Sequence, residues 1–288
     1  PGTDATPIFF VHDGLGEVLL YRSLALLLDP NHPIYGLEPE LAQGRVLHTT
    51  INAMAKAKVD RIRTVQPTGP YLLAGLCAGG VIAFETARQL EEAGDEVLFV
   101  GLIDAAAVGA EERSMRETKE RLERIRGLFR PEPGASTLGH WIGVLPKLAS
   151  KAKGWLTYAI SSRLERRRNT RKVSELRVDS PEQAVAGSEL PYLQLYEVAH
   201  REHALQGVFR GSSVVLFRAT QGNGEQSDTP FREIYADDLL GWQRHVQTIV
   251  HVVDVPGGHS STLQEPHVGE LAKSMQTKLR SVLVSRAK

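Results

Sequence analysis

Cysteine is almost missing: 288 residues hold one, Cys77. A lone cysteine excludes an internal disulfide and fits a reducing compartment, so a cytoplasmic location is expected. No run reaches the ~18 uninterrupted apolar residues of a membrane span, and no signal-peptide pattern marks the N-terminus. Basic and acidic residues balance at 34 each, so the formal net charge is zero and nothing global points to nucleic acid. No His, Cys and carboxylate spacing reads as a metal-ligand cluster, and no cofactor is expected. The opening Pro1-Gly2-Thr3-Asp4 lacks methionine, which reads as a domain cut from a longer polypeptide. The rest, 42% hydrophobic and 24% charged, is an ordinary globular composition. A chain this long is one large α/β domain or two smaller ones.

The lone cysteine sits in the most informative stretch. Tyr71-Leu72-Leu73-Ala74-Gly75-Leu76 reads as an apolar strand, Cys77-Ala78-Gly79-Gly80 as a turn, and Val81 to Leu90 as a helix. Strand, Gly75-x-Cys77-x-Gly79 and helix together form the context of a nucleophile elbow, with Cys in place of Ser. A nucleophile at the tip of a sharp turn stands clear of the backbone. Gly75 and Gly79 flank it because a Cβ there would strike the neighbouring strand or helix. The turn also puts the Ala78 N–H at a helix start, where it can stabilise an oxyanion. The alternative is that Cys77 is a small buried apolar residue.

Pro7 to Val11 is an apolar strand running into the loop His12-Asp13-Gly14-Leu15-Gly16, and Val18 to Leu28 reads as a helix. In hydrolases of this build that loop supplies the second oxyanion N–H, and Gly14 is the candidate. A plain strand-to-helix turn would use glycine too. His12 is expected to order the loop rather than to react. Pro33 to Leu37 is a second strand, Glu38 to Val46 a loop, and Ile51 to Val65 a helix. Glu96 to Ile103 is nearly continuous apolar, as a strand buried on both faces should be, and ends in Asp104. A carboxylate there lies at the ligand edge of an open α/β sheet, though a helix cap would place one similarly. Strands at Ser212–Arg218 and Thr248–Val255 follow, and Pro256-Gly257-Gly258-His259 closes the last. The order Cys77, Asp104, His259 is the nucleophile–acid–base order of the α/β-hydrolase fold. Many such folds carry the acid one strand later, which here points to Asp228 or Glu225. Val268 to Val284 reads as a helix capping the sheet.

Ala105 to Arg210 is far longer than a crossover needs. Helical patterns over Glu112 to Phe129, around Trp141 to Leu148, at Trp155 and Tyr158, and at Leu193 to His203 read as a helical lid. The expected layout is one domain, its core about 1–108 and 209–288 and its lid about 109–208. Within the lid, Arg163 to Lys172 holds six basic residues and one acidic residue. Such a run is either a solvated helix face or a docking patch for an acidic partner.

Gln66-Pro67-Thr68-Gly69-Pro70-Tyr71, the elbow through Glu85, Asp104, the Gly241-Trp242 pair and Gly257-Gly258-His259 together resemble the type I thioesterase domains that end nonribosomal peptide and polyketide synthases. The likeness covers about Pro7 to Asp104 and Gly211 to the end. It implies an α/β-hydrolase fold with a mostly parallel sheet and a mobile helical lid. It also implies a Cys77, Asp104 and His259 triad and an oxyanion hole from the Gly14 and Ala78 N–H groups. In that family the acid often follows the earlier strand, which favours Asp104 over Asp228 or Glu225. The implied partner is an acyl or peptidyl carrier protein, upstream in the same polypeptide, whose phosphopantetheine arm carries the acyl chain. Neither nucleic acid nor a membrane is expected as a partner.

Most of that family uses Ser where Cys77 stands. A thiol near pKa ~8.5 ionises far more readily than a hydroxyl, and the acyl-enzyme becomes a thioester that stays activated. Release follows by hydrolysis or intramolecular cyclisation, and the activated intermediate suits a weak or geometrically demanding nucleophile, such as an internal amine or a hydroxyl closing a strained ring. The rival readings are a dienelactone-hydrolase-like enzyme, a stand-alone editing thioesterase, and a catalytically inert interaction domain.

Overall fold

The computed structural model describes residues 6–42, 45–113, 167–173, 192–205, 207–211 and 213–286. Its frame is a six-stranded sheet: β1 (Ile8–Val11), β2 (Ile34–Leu37), β5 (Tyr71–Leu76), β6 (Val97–Ile103), β7 (Val214–Ala219) and β8 (His251–Val255). The spatial order is β2-β1-β5-β6-β7-β8, and every pairing is parallel. The helices are α1 (Arg22–Leu27), α2 (Ile51–Val65), α3 (Ala78–Glu92), α4 (Tyr192–Glu202), α5 (Phe231–Ile234) and α6 (Val268–Arg286).

The central strands are apolar throughout because both of their faces are covered. Along β1, Phe9 and Val11 join one core with Ile51, Met54, Val81 and Phe84, while Ile8 and Phe10 join a second with Leu24, Leu271 and Met275. The period of two therefore sends alternate residues to α2 and α3 on one face and to α1 and α6 on the other. Each fully buried Phe or Leu contributes about 1.5–3 kcal/mol. The two edge strands are more exposed than the rest.

Sequence order reverses between β1 and β5, the strands from which the chain is wound in opposite directions. In such sheets the crevice at the carboxyl ends of the strands around that reversal takes the ligand. The loop after β1 and the turn after β5 meet there.

Three details differ from the sequence reading. Val18 to Leu28 is split into a 3-10 turn, Leu19–Tyr21, and then α1. The expected loop from Glu38 to Val46 contains a small antiparallel pair, β3 (Leu41–Ala42) with β4 (Arg45–Val46), too short to show an alternating pattern. The last strand begins at His251 rather than Thr248, because its ladder with β7 starts at the Val215–His251 pair. Of the expected lid, the patterns from 114 to 166 lie outside the described residues, as does 174–191. Residues 167–173 form a short helical stretch on which Arg167, Arg168, Arg171 and Lys172 are exposed.

Candidate active site

Cys77 sits between β5 and α3 with φ 52° and ψ −117°. A non-glycine residue there stores about 1–3 kcal/mol of strain, held by the packing around it. The flanking glycines make the turn possible. A Cβ on Gly75 would lie 2.3 Å from the Gly79 carbonyl carbon, and one on Gly79 would lie 2.5 Å from the Val11 and His12 oxygens. Tyr21 ties this corner together. Its buried hydroxyl donates to the Val11 carbonyl at 2.8 Å and accepts from the Leu76 N–H at 2.7 Å. One phenol thus pins the end of β1 to the residue before Cys77. No local pattern announces this, since Tyr21 and Leu76 are 55 positions apart.

Asp104 follows β6, is fully buried and has φ 37°. Its Oδ2 accepts from His259 Nδ1 at 2.8 Å and from the Phe231 N–H at 3.1 Å, and its Oδ1 accepts from the Ala219 N–H at 3.2 Å. The Phe231 ring stacks on the His259 imidazole, with centroids 4.2 Å apart and planes 17° apart. Burial disfavours charge on this imidazole, but the hydrogen bond to Asp104 and the neighbouring Cys77 outweigh that and push its pKa up to about 10. The Trp242 indole N–H donates to the Ala105 carbonyl at 2.7 Å and anchors the chain just past Asp104. That contact accounts for the Gly241-Trp242 pair.

Asp228 and Glu225, the other sequence candidates for the acid, are placed differently. Glu225 is exposed. Asp228 is buried, and its carboxylate is saturated by the histidine loop. Oδ1 accepts from the Ser260 and Ser261 N–H groups, and Oδ2 from the Asn223 N–H and the Ser261 hydroxyl, all at 2.8–2.9 Å. Its own carbonyl accepts from the His259 N–H at 3.0 Å. Burial works against its charge, yet these donors hold the carboxyl below its usual range. A Cβ on Gly258 would lie 2.1 Å from the Asp228 oxygen, so the two loops are in direct backbone contact. Asp228 therefore shapes the loop that carries His259. Asp228→Asn turns an amide N–H toward donors and is expected to cost about 2–4 kcal/mol in urea denaturation, with the pH limb of His259 unmoved. A shifted limb at unchanged stability would give Asp228 the acid role instead.

In the loop after β1, the Asp13 oxygens hold the Leu15, Gly16 and Glu17 amides. Its Oδ1 accepts from the Leu15 and Glu17 N–H groups at 2.9 Å, and its carbonyl accepts from the Gly16 N–H at 3.1 Å. The Asp13 and His12 N–H groups donate to the Glu17 and Leu37 carbonyls. Among the described residues 12–17, the Gly14 N–H is the donor left unspent. A Cβ on Gly14 would lie 3.5 Å from the Ala78 Cβ, which puts the two proposed oxyanion residues side by side. His12 is fully buried, and burial lowers its pKa to about 3, so it stays neutral and orders the loop.

Among the described residues no group of three or more His, Cys, Asp or Glu gathers to hold a metal, and no helix is long and apolar enough to cross a membrane.

A parallel sheet with a strained elbow at β5, a buried acid after β6 and a histidine after β8 defines an α/β hydrolase. Residues 6–279 match the model of the thioesterase domain family. The chain belongs to that family and is a thioesterase, a hydrolase of thioester bonds. It is similar to the inactive atromentin synthetase invA3 of Paxillus involutus, 28% identical over 294 residues, which cover 96% of this chain and 27% of that protein. It is also similar to the atromentin synthetase of Tapinella panuoides, 43% identical over 106 residues, 35% of this chain and 11% of that protein. The chain thus spans a minor part of the curated relatives it matches. A solved structure of the NocB thioesterase domain, covalently bound to a fluorophosphonate nocardicin G analog, superposes with a TM-score of 0.57 at 24% identity, covering 96% of each chain. That likeness bears on the fold.

Proposed function

We propose that this chain is the chain-releasing thioesterase domain of a larger synthetase and works through an acyl-Cys77 intermediate. The observation that carries the proposal is the Asp104–His259 hydrogen bond at the carboxyl edge of the sheet, with Cys77 neighbouring the imidazole and the unspent Gly14 N–H beside the elbow. The match to synthetases much longer than this chain supports a carrier domain as the donor of the acyl group.

Cys77 Sγ attacks the carbonyl of the thioester on the phosphopantetheine arm. The Gly14 and Ala78 N–H groups hold the oxyanion. As the C–S bond to the arm breaks, the leaving thiolate takes its proton from His259, whose charge Asp104 stabilises. Water, or a nucleophile within the acyl chain, then attacks the acyl-Cys. His259 takes the incoming proton, and the Cys77 sulfur leaves. Thioester is exchanged for thioester in the first half, so little energy is lost before release. The phosphopantetheine belongs to the substrate, and the chain's own residues supply each step without a further cofactor. A nucleophile that must remain a free thiol fits a reducing, cytoplasmic setting.

The insertion between β6 and β7 serves as the lid in this proposal, with the core about 1–108 and 209–288. The exposed basic stretch at 167–172 is its docking patch for an acidic carrier surface. The test compares one acyl group on a carrier domain and on a small thiol. The carrier-bound thioester is expected to turn over with the higher kcat/KM, and charge reversal at Arg166, Arg167 and Arg168 should lower only that rate. Equal rates for both substrates would sink the carrier as partner. Equal losses on both would sink the patch.

A further inference from the structure

Tyr192 opens α4, a described helix of the long insertion between β6 and β7, and reaches across to the loop after β1. Its hydroxyl lies 3.3 Å from His12 Nε2, and the two rings meet edge to face with centroids 5.0 Å apart. The other ring nitrogen, His12 Nδ1, lies 2.9 Å from the Asp13 carbonyl oxygen. A carbonyl only accepts, so Nδ1 carries the proton and Nε2 is an acceptor. Tyr192 therefore donates to His12, and His12 donates to Asp13. The Met54 sulfur, at 3.6 Å, is the weaker alternative acceptor for the tyrosine.

The end of this series matters because of covalent geometry. The Asp13 carbonyl and the Gly14 N–H are two ends of one planar peptide unit. Two donors into the Asp13 oxygen, His12 Nδ1–H and the Gly16 N–H, fix the plane in which the Gly14 N–H points. They also polarise the unit, which strengthens that N–H as a donor. Beside it, the next residue of α4 closes in: a Cβ on Gly14 would lie 3.2 Å from Leu193 Cδ1.

We propose that Tyr192 and His12 are positioning residues that relay the seating of α4 to the oxyanion amide of Gly14. The oxyanion donor is then held in its best aim when α4 is seated against the loop after β1. This rests on the reading of Gly14 as an oxyanion donor. Neither side chain touches the reacting atoms, and both act through the Asp13–Gly14 peptide.

Tyr192→Phe keeps the ring and removes only the hydroxyl, so the fold is retained. His12→Phe removes both ends of the link. Two rates are measured on the intact chain: acylation of Cys77 by an acyl thioester, which needs an oxyanion hole, and alkylation of Cys77 by iodoacetamide, which does not. Acylation should slow by about tenfold in Tyr192→Phe and further in His12→Phe, less than the ~100-fold or more expected for deleting a donor outright. KM and the alkylation rate should stay within about twofold of wild type by the same logic. The double variant should be no slower than His12→Phe alone, because the two act in series. Unchanged acylation in both variants overturns the relay, and so does a parallel fall in acylation and alkylation, which would mean a collapsed site. A wild type that forms no acyl adduct at all overturns the proposed function instead.

Discussion

Replacing Cys77 by alanine is expected to cut thioester turnover by about 10,000-fold or more while the fold survives. The residue has no substitute. It is the chain's single cysteine, it stands at the elbow tip with φ 52°, and it is the partner of His259 opposite Asp104. Alanine loses one half-buried sulfur, worth about 1 kcal/mol of packing, and adds no new backbone strain because cysteine already tolerates this φ. Circular dichroism and urea denaturation check the fold, and release of free thiol from the thioester checks the rate. Cys77→Ser asks a different question. It keeps a nucleophile but makes the intermediate an oxygen ester. If the thioester intermediate serves a demanding internal nucleophile, the serine variant should shift products from ring closure toward hydrolysis. The same products in the same ratio would remove that reason for cysteine.

Asp104→Asn should have the second largest effect, a fall in kcat of about 1,000- to 10,000-fold by analogy with triads in general. Three donors converge on this carboxylate: His259 Nδ1, the Ala219 N–H and the Phe231 N–H. An amide can accept with one atom only, so one donor must face another N–H. His259 then loses its orientation and the charge that holds its proton. In the native fold that pKa is raised to about 10, above the unfolded value of ~6.5. Stability contributed by His259 is therefore complete below ~6.5 and is lost as the pH climbs through about 10. Asp104→Asn should flatten that loss in denaturation series from pH ~6 to ~10 and move the alkaline limb of acylation toward acid. An unmoved limb would mean that the acid partner of His259 lies elsewhere.

What the sequence shows of this site follows from how local each requirement is. The elbow is legible because Gly75 answers to Gly79 and Gly80, within five residues, and its spacing to Gly79 is itself a local pattern, although the atoms that forbid a side chain at Gly79 belong to the distant Val11 and His12. The parallel sheet is legible because β5 and β6 are apolar at every position. Asp104 and His259 are 155 positions apart, and only the strand order of a known architecture joins them on paper. Asp228 looked like a rival acid because it follows the next strand, and nothing local shows that its oxygens are already taken by Ser260, Ser261 and Asn223. Tyr21 and Phe231 carry no signal at all. Each is an ordinary aromatic residue in its own stretch and acquires a role only when the chain brings Leu76 or His259 against it. The Tyr192–His12 contact spans 180 positions and is legible only in three dimensions. The sequence places His12 in a loop and a helix at Leu193 to His203, where α4 lies, but nothing in it joins the two.

The most direct measurement is the intact mass of the protein after brief mixing with a short acyl thioester, and with the same acyl group on a carrier domain, beside Cys77→Ala. A gain of one acyl group in the wild type alone, decaying as product appears, is the expected result. An equal adduct on Cys77→Ala, or turnover of either substrate through a Cys77→Ala chain at the wild-type rate, would contradict covalent release at Cys77.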